Sequence, residues 1–539
     1  MISEVLGLSL ADIYSRSLVD FSEQTAFSLI NKEKLTYREF GDSVEHLTEI
    51  LNKHGVKKGE KVAILGNNMP NWAVSYFAIT TSSRVVVPIL PDFTAFEIVN
   101  VIEHSESSVV IVSEKLHYKL SASLLDSLKL VISMDTLEVI KSAGEQDYTL
   151  NELPRPEDLA SIIYTSGTSG ASKGVMLTHR NLVTQNYMAN KLLPIFREDV
   201  FLSILPLSHA YECSLGLILP LSRGAQVVYL HGAPTPSLLL PALTQVRPTI
   251  MLSVPLIVEK IYKNKIRPMF TKTWITQFLY SISFIRRALH KVAGKKLCQT
   301  FGGNLRFFGI GGSKLDGVVE KFLADAGFPY GIGYGLTETS PLLAGAIPGK
   351  VKWQSTGPKL PDIEMKILNP NHKKIGEIVV KGPNVMSGYY KDPVTTASCF
   401  TEDGWFRTKD LGYIDKNGNL YIKGRKDNMM VGANGENIYP EEIEATINEH
   451  DMVLESLVVN TKGKLVAMVH FNYEQIEKLH TFNEEAEVNM TQRVEEVKKE
   501  LMEYVNSRVN KSSKILEILE QSSPFEKTAT QKIKRYLYN

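Results

Sequence analysis

Short β-branched runs recur along this 539-residue chain, and helix-like segments separate them. Lys61–Leu65 (KVAIL), Val85–Val87, Ser108–Val112 (SVVIV), Phe201–Leu205, Gln226–Leu230 and Thr249–Leu252 are close to continuously apolar rather than alternating. A strand without a polar face is buried on both sides, and helices must cover it. The intervening segments can provide that cover. Glu39–Leu51 carries its apolar residues at helical spacing, and 71–81 and 94–104 also read as helices. The fold class predicted is α/β, with layered sheets and buried strands.

The texture changes near Gly357. Ile363–Ile367, Gly376–Lys381, Gly412–Ile414 and Asn419–Lys423 are short strands separated by Asn and Gly, and Lys416-Asn417-Gly418 suits a hairpin turn because glycine takes positive φ cheaply. A small antiparallel subdomain is expected at about 357–424. Beyond Arg425, Pro440 followed by Glu441, Glu442 and Glu444 reads as a helix start, with acids at the positive end of the dipole. A charged helix is expected over Asn483–Val509. The domains predicted are 1–424, large and layered, and 425–539, small, α/β and separate.

Lys and Arg number 60 against 59 Asp and Glu. That balance gives no drive toward nucleic acid, and 43% apolar residues exclude an acidic disordered chain. Cys213, Cys298 and Cys399 have no metal-ligand spacing. With no signal peptide read at Met1-Ile2-Ser3-Glu4, the expectation is a soluble protein of the reducing cytoplasm. Apolar stretches such as Val85–Leu90 fall short of the roughly 20 residues that span a bilayer.

The sharpest local signal is Tyr164-Thr165-Ser166-Gly167-Thr168-Ser169-Gly170-Ala171-Ser172-Lys173-Gly174, entered directly from the apolar Ser161-Ile162-Ile163. Glycines let successive backbone N–H groups converge on anionic oxygens, hydroxyls add donors, and Lys173 adds charge. The nucleotide loop G-x-x-x-x-G-K-[ST] does not fit, because Ala171 and Ser172 separate Gly170 from Lys173.

This loop closely resembles the phosphate-loop signature of the adenylate-forming (AMP-binding) superfamily. The resemblance continues in order through Tyr334-Gly335-Leu336-Thr337-Glu338-Thr339, Gly404-Trp405-Phe406-Arg407-Thr408-Lys409-Asp410, Gly424-Arg425-Lys426-Asp427 and Lys527–Arg535. Its look is nearest to bacterial long-chain fatty acyl-CoA synthetases. It implies ATP, Mg²⁺ and coenzyme A as co-substrates or cofactor, an acyl-adenylate intermediate, and a mobile C-terminal domain. By resemblance, Thr165, Ser166, Gly167, Thr168, Ser169, Gly170 and Lys173 cradle the β- and γ-phosphates. Tyr334 faces adenine beside the Gly311-Gly312 turn, Thr337 meets the α-phosphate, and Glu338 holds the metal. Asp410 takes the ribose hydroxyls with Arg425 beside it, and Asp427 is the hinge. Gly435 and Glu436 centre a loop lining the coenzyme A tunnel. Lys532 bridges the substrate carboxylate and the α-phosphate. Two positions depart from the commoner family form: Lys409 and Gln531 both stand where glycine is usual.

Pro206-Leu207-Ser208-His209-Ala210-Tyr211-Glu212 resembles the acyl-pocket motif of fatty acyl-CoA synthetases, which puts His209 near the substrate carboxylate. The implied function is activation of a fatty acid and its transfer to coenzyme A. The alternatives are transfer to an acyl-carrier protein, or a degenerate adenylate-binding protein without activity. Lys260–Lys296 holds ten Lys and Arg and no Asp or Glu, and Trp274, Phe278, Ile282, Ile285 and Leu289 fall on one face if the segment is one helix. Peripheral contact with an anionic membrane and packing on the main body are both open readings of it.

Overall fold

The computed structural model describes residues 2–148, 152–165, 172–232, 234–271, 273–431, 436–461, 463–480, 490–528 and 532–538. Two eight-stranded sheets dominate, each parallel in its middle and antiparallel at both ends. One runs, in spatial order, Leu342–Ala346, Tyr330–Gly335, Phe307–Ile310, Ile250–Ser253, Val200–Ser203, Gln226–Tyr229, Thr25–Leu29, Lys34–Thr36. The other runs Gly388–Tyr389, Lys173–Thr178, Leu159–Thr165, Val85–Ile89, Lys61–Leu65, Val109–Val112, Leu130–Ser133, Val139–Ser142. The apolar runs read from the sequence form the parallel interior of these sheets.

The largest core lies between the two sheets, where Phe27, Val227 and Ile250 of one share a cluster with Val62, Ile111 and Val175 of the other. Helix Pro70–Thr81 belongs to that layer, and every residue from Trp72 to Thr80 is buried. A helix apolar all round fits only where both faces are covered. Helix Tyr37–Lys53 begins two residues before the predicted Glu39. Thr36 caps it, its hydroxyl accepting from the Glu39 amide while the Glu39 carboxylate accepts from the Thr36 amide.

Apart from Gly388–Tyr389, the strands of residues 357–425 form a five-stranded antiparallel sheet, ordered Gly357–Pro358, Asn419–Arg425, Phe406–Ile414, Gly376–Lys381, Glu364–Leu368. The turn at 416–418 is as expected: Gly418 has φ +84°, and Asp415 Oδ1 accepts from the amides of Asn417 and Asn419. The last unit has its own three-stranded sheet, Val453–Thr461, Lys464–Phe471 and Glu517–Glu520, and its own core with Ile443, Ile447, Val458 and Leu501. The expected charged helix runs Met490–Asn506, and residues 481–489 lie outside the described part of the chain.

The basic segment departs from expectation. It is not one helix: Trp274–Ser281 and Ser283–Thr300 are separated at Ile282, whose ψ of 117° is extended. That break resets the helical phase, so the predicted stripe divides. Trp274 and Phe278 are 77% and 62% exposed, whereas Leu289 packs on the second core.

His179, fully buried, accepts a hydrogen bond from the Leu10 amide through Nδ1, which requires the neutral ring. Burial pushes its pKa down to about 4, against carboxylates at Asp158 and Asp12. Between about pH 6.5 and 4 the unfolded chain therefore holds a proton that the native one lacks, and stability falls as pH falls through that window. One such histidine steepens the slope by about 1.4 kcal/mol per pH unit. Urea midpoints between pH 7 and 4.5 should show a shallower dependence by that amount in His179→Gln, although its stability at pH 7 is lower.

Candidate active site

Asp410 and Arg425 face each other because strands Phe406–Ile414 and Asn419–Arg425 pair in that register. Arg425 Nη1 lies 3.1 Å from Asp410 Oδ1, and the Tyr334 hydroxyl donates to Asp410 Oδ2 at 2.7 Å. Tyr334 comes from the next-to-edge strand of the first sheet, so the carboxylate joins two sheets. Burial raises the pKa of Asp410, and Arg425, Tyr334 and Lys532 all oppose that rise. Such a carboxylate is fixed in place with lone pairs left to accept further donors.

Glu338 sits on the single turn Thr337–Thr339 that follows strand Tyr330–Gly335. Its Oε1 accepts from the Tyr389 hydroxyl at 2.8 Å. The Lys173 ammonium lies 5.4 Å from the centre of the Tyr389 ring. Tyr389 thus links the carboxylate to the end of the phosphate-loop hairpin, whose strands Leu159–Thr165 and Lys173–Thr178 pair with Thr165 opposite Lys173. Sequence reasoning missed Tyr389. The signal was Gly388-Tyr389-Tyr390, whose first two residues form a short strand that pairs with Met176 and Val175. Ser166, Gly167, Thr168, Ser169 and Gly170 lie outside the described residues. Among the described residues, no group of three or more His, Cys, Asp or Glu could hold a metal. A lone carboxylate linked through Tyr389 to Lys173 still fits Mg²⁺, which commonly takes one or two carboxylates and completes its shell with phosphate oxygens and water.

His209 caps the short helix Ala210–Glu212, Nδ1 accepting from the Tyr211 amide. Gly311 follows strand Phe307–Ile310, and a Cβ there would meet the Tyr211 ring at 3.3 Å; Gly312 has φ +89°. The two glycines therefore let this turn close on the His209–Tyr211 segment. Burial, and then the charge of Lys532, push the His209 pKa down to about 4, so the ring is neutral near pH 7.

Lys532 arrives from the other end of the chain. A β-bridge between Lys527 and Ile533 closes its loop, and Thr528 and Lys532 exchange backbone and hydroxyl hydrogen bonds. Ion pairs Lys527–Glu455 and Arg535–Glu444 tie the base of the loop to the C-terminal unit. Lys532 is exposed to solvent, with Arg425, Asp410 and Glu338 as its charged neighbours. Partial desolvation and Arg425 lower its pKa, and Asp410 and Glu338 hold it up. Gln531 lies outside the described residues.

Lys409 has φ +60°, the left-handed geometry that accounts for glycine in the commoner sequence form. Its ammonium lies 3.4 Å from Asp427 Oδ2, in the turn Lys426–Asn428. Glu436 is exposed beside the two-stranded Met430–Val431 and Asn437–Ile438, and Gly435 lies outside the described residues. The structure thus brings His209, Glu338, Asp410, Arg425 and Lys532 to one cleft. Asp427 adjoins it through Arg425, and no described contact brings Glu436 to it.

A family model described as AMP-binding enzyme matches residues 15–390, and one described as AMP-binding enzyme C-terminal domain matches residues 427–538. Fatty acyl-CoA synthetase A of Dictyostelium discoideum is 29% identical over 492 residues, which are 83% of this chain and 73% of the relative. The peroxisomal long chain acyl-CoA synthetase 6 of Arabidopsis thaliana is 31% identical over 452 residues, 76% of this chain but just under two thirds of the plant protein, at 64%. Long-chain-fatty-acid–CoA ligase FadD15 of Mycobacterium bovis is 30% identical over 469 residues, 78% and 75% of the two chains. Among solved structures, ATP-bound MatB of Rhodopseudomonas palustris superposes with a TM-score of 0.78 at 22% identity, covering 98% of each chain. O-succinylbenzoate coenzyme A synthetase of Bacillus subtilis with AMP gives 0.77 at 22% identity over 98% and 97%. These two establish the shared fold.

Asp410→Asn keeps the shape of the side chain but leaves the half-buried Arg425 without its counter-charge. Calorimetric titration with ATP should show affinity weakened by about 10- to 100-fold, the value of one charge-assisted hydrogen-bond pair.

Proposed function

The chain belongs to the AMP-binding, adenylate-forming enzyme family, and we propose that it couples ATP cleavage to formation of a fatty acyl thioester with coenzyme A. The observation that carries this reading is the convergence of Lys532 with His209, Glu338 and Asp410, which come from three other stretches of the chain. In the first step a carboxylate oxygen of the fatty acid attacks the α-phosphorus of ATP. The bond to the bridging oxygen breaks and pyrophosphate leaves. Lys532 draws together two anions, carboxylate and α-phosphate, that would otherwise repel, and Thr337 supports the latter. Asp410, held by Tyr334 and Arg425, receives the ribose hydroxyls; Tyr334 and the Gly311-Gly312 turn border adenine. Thr165, the glycine–hydroxyl loop at 166–170 and Lys173 hold the β- and γ-phosphates. Glu338, oriented by Tyr389, would hold Mg²⁺, which supplies charge neutralisation on the phosphates when bound. Neutral His209 borders the acyl carboxylate without adding a competing positive charge.

In the second step the coenzyme A sulfur attacks the acyl carbon and AMP departs. Lys532 has no part in that step. Residues 425–539 turn about Asp427 between the two reactions, and Gly435 and Glu436 then line the thiol's approach. The relatives named for long-chain fatty acids support the substrate class.

Among the described residues, no helix is long and apolar enough to cross a membrane. Contact at a lipid surface is nonetheless part of the reading. Trp274, Ile275 and Phe278 expose 77%, 51% and 62% of their area, with Phe284 beyond the break at 74%. Arg286, Arg287 and Lys291 follow on the next helix, in a segment devoid of acids. Apolar side chains that enter the headgroup layer beside cations that meet anionic lipid phosphates describe a peripheral membrane face.

Purified protein given ATP, Mg²⁺, coenzyme A and fatty acids of 12 to 18 carbons should yield AMP, pyrophosphate and acyl-coenzyme A by mass spectrometry. Product with holo-acyl-carrier protein alone would replace the acceptor, and absence of any acyl-adenylate would sink the reading. Vesicles containing acidic phospholipid should co-sediment the protein, less so at high salt. Replacing Arg286, Arg287 and Lys291 by Gln should remove about 1 kcal/mol of binding per charge. Activity on a short soluble acid should survive. Absence of binding at low salt would refute the membrane face.

A further inference from the structure

The first cations of the basic segment face the C-terminal unit instead. Pro255–Ile261, Tyr262–Ile266 and Arg267–Thr271 form consecutive helical turns whose Val258, Tyr262, Ile266 and Phe270 are buried in the main body. Tyr262 is anchored further: its hydroxyl meets that of Tyr280, which bonds His290, which in turn faces Asp325. From this fixed element Lys263 and Arg267 reach outward. Lys263 Nζ donates to the carbonyl of Asn448 at 2.7 Å, and Arg267 forms an ion pair with Asp451. Asn448 is the last residue of helix Pro440–Asn448, so Lys263 sits at the negative end of that helix dipole. Lys314 adds a third cation, facing Glu442 and Glu449. Asp316 opposes them, as a like charge near Glu449 and Asp451.

Another contact across this seam, Lys423–Glu442, lies beside residues 425–428, where the chain passes between units. Contacts next to a pivot can persist through a rotation. Those of Lys263 and Arg267 come from a separate element of the body and must break. We propose that Lys263 and Arg267 form a clasp holding the C-terminal unit in the orientation seen here, so that they are positioning residues for the adenylation step served by Lys532. This rests on the reading of Lys532 given above.

The full-length protein tests it by separating the two half-reactions. Arg267→Gln and Asp451→Asn should each slow pyrophosphate exchange by about 3- to 10-fold, as expected for one partly buried ion pair. The effect should fall on kcat, with KM for ATP and fatty acid unchanged. Thioester formation from supplied acyl-adenylate and coenzyme A should be unchanged or faster. The exchanged pair, Arg267→Asp with Asp451→Arg, should restore pyrophosphate exchange to within about twofold of the unmodified protein. Equal loss in both half-reactions, or failure of the exchanged pair to rescue in a protein of unaltered melting temperature, would overturn the clasp. Lys532→Ala is the comparator. If it abolishes adenylate formation while Arg267→Gln changes nothing, the clasp alone fails; if it leaves adenylate formation intact, the reading of Lys532 fails and takes the clasp's role with it.

Discussion

A carboxylate 6% exposed, as Asp410 is, must be matched by donors and counter-charge or it would take up a proton. Meeting that need fixes the relation of three parts of the molecule. Tyr334 brings the next-to-edge strand of the first large sheet, Arg425 brings the antiparallel sheet through strand register, and Lys532 brings the C-terminal unit. Each donor is placed by backbone pairing some distance away, so the site inherits its rigidity from the sheets. Glu338 repeats the arrangement in smaller form, with Tyr389 carried on an edge strand of the second large sheet. The cleft is thus where three sheets and the C-terminal unit each contribute a polar group, and the layered α/β architecture is what lets residues so distant in sequence converge.

The same electrostatics separates an active site from an inert one. Lys173, Arg425 and Lys532 set three cations near two carboxylates and a neutral His209, an excess of positive charge that fits the proposed triphosphate and carboxylate. A nucleotide-binding protein without chemistry needs the ribose and phosphate contacts but has no use for a loop clamped by Lys527–Glu455 and Arg535–Glu444 that projects one lysine into the cleft.

Much of this was legible in the sequence wherever one rule decided the outcome. Lys61–Leu65 and Gly376–Lys381 are strands with the predicted bounds, because continuous apolar runs flanked by polar residues leave little choice. The roles proposed for Asp410 and Lys532 came only through family motifs; neither residue differs locally from an ordinary surface group in the sequence. What escaped was decided by tertiary context. The break at Ile282 lies within a Tyr-Ser-Ile-Ser sequence with no proline or glycine, and an unbroken periodicity ran through it. Tyr389 and Arg267 owe their placement to strand pairing and to a unit roughly 180 residues downstream, which local spacing does not encode.

Lys409 shows how a departure from the usual residue can be absorbed. A left-handed backbone at a residue with a Cβ costs about 1–2 kcal/mol relative to glycine. The geometry is nevertheless retained, because strands Phe406–Ile414 and Asn419–Arg425 must keep Asp410 opposite Arg425. In exchange the side chain gains Asp427, at the junction with the C-terminal unit. A half-exposed pair returns at most about 1 kcal/mol, so it offsets part of the strain and leaves the rest. The strain therefore sits at the junction itself, in the residue next to the carboxylate that joins the sheets. A seam held by a few ion pairs and loaded with a strained residue is weaker than a packed apolar interface, and weakness there suits the rotation proposed for the C-terminal unit.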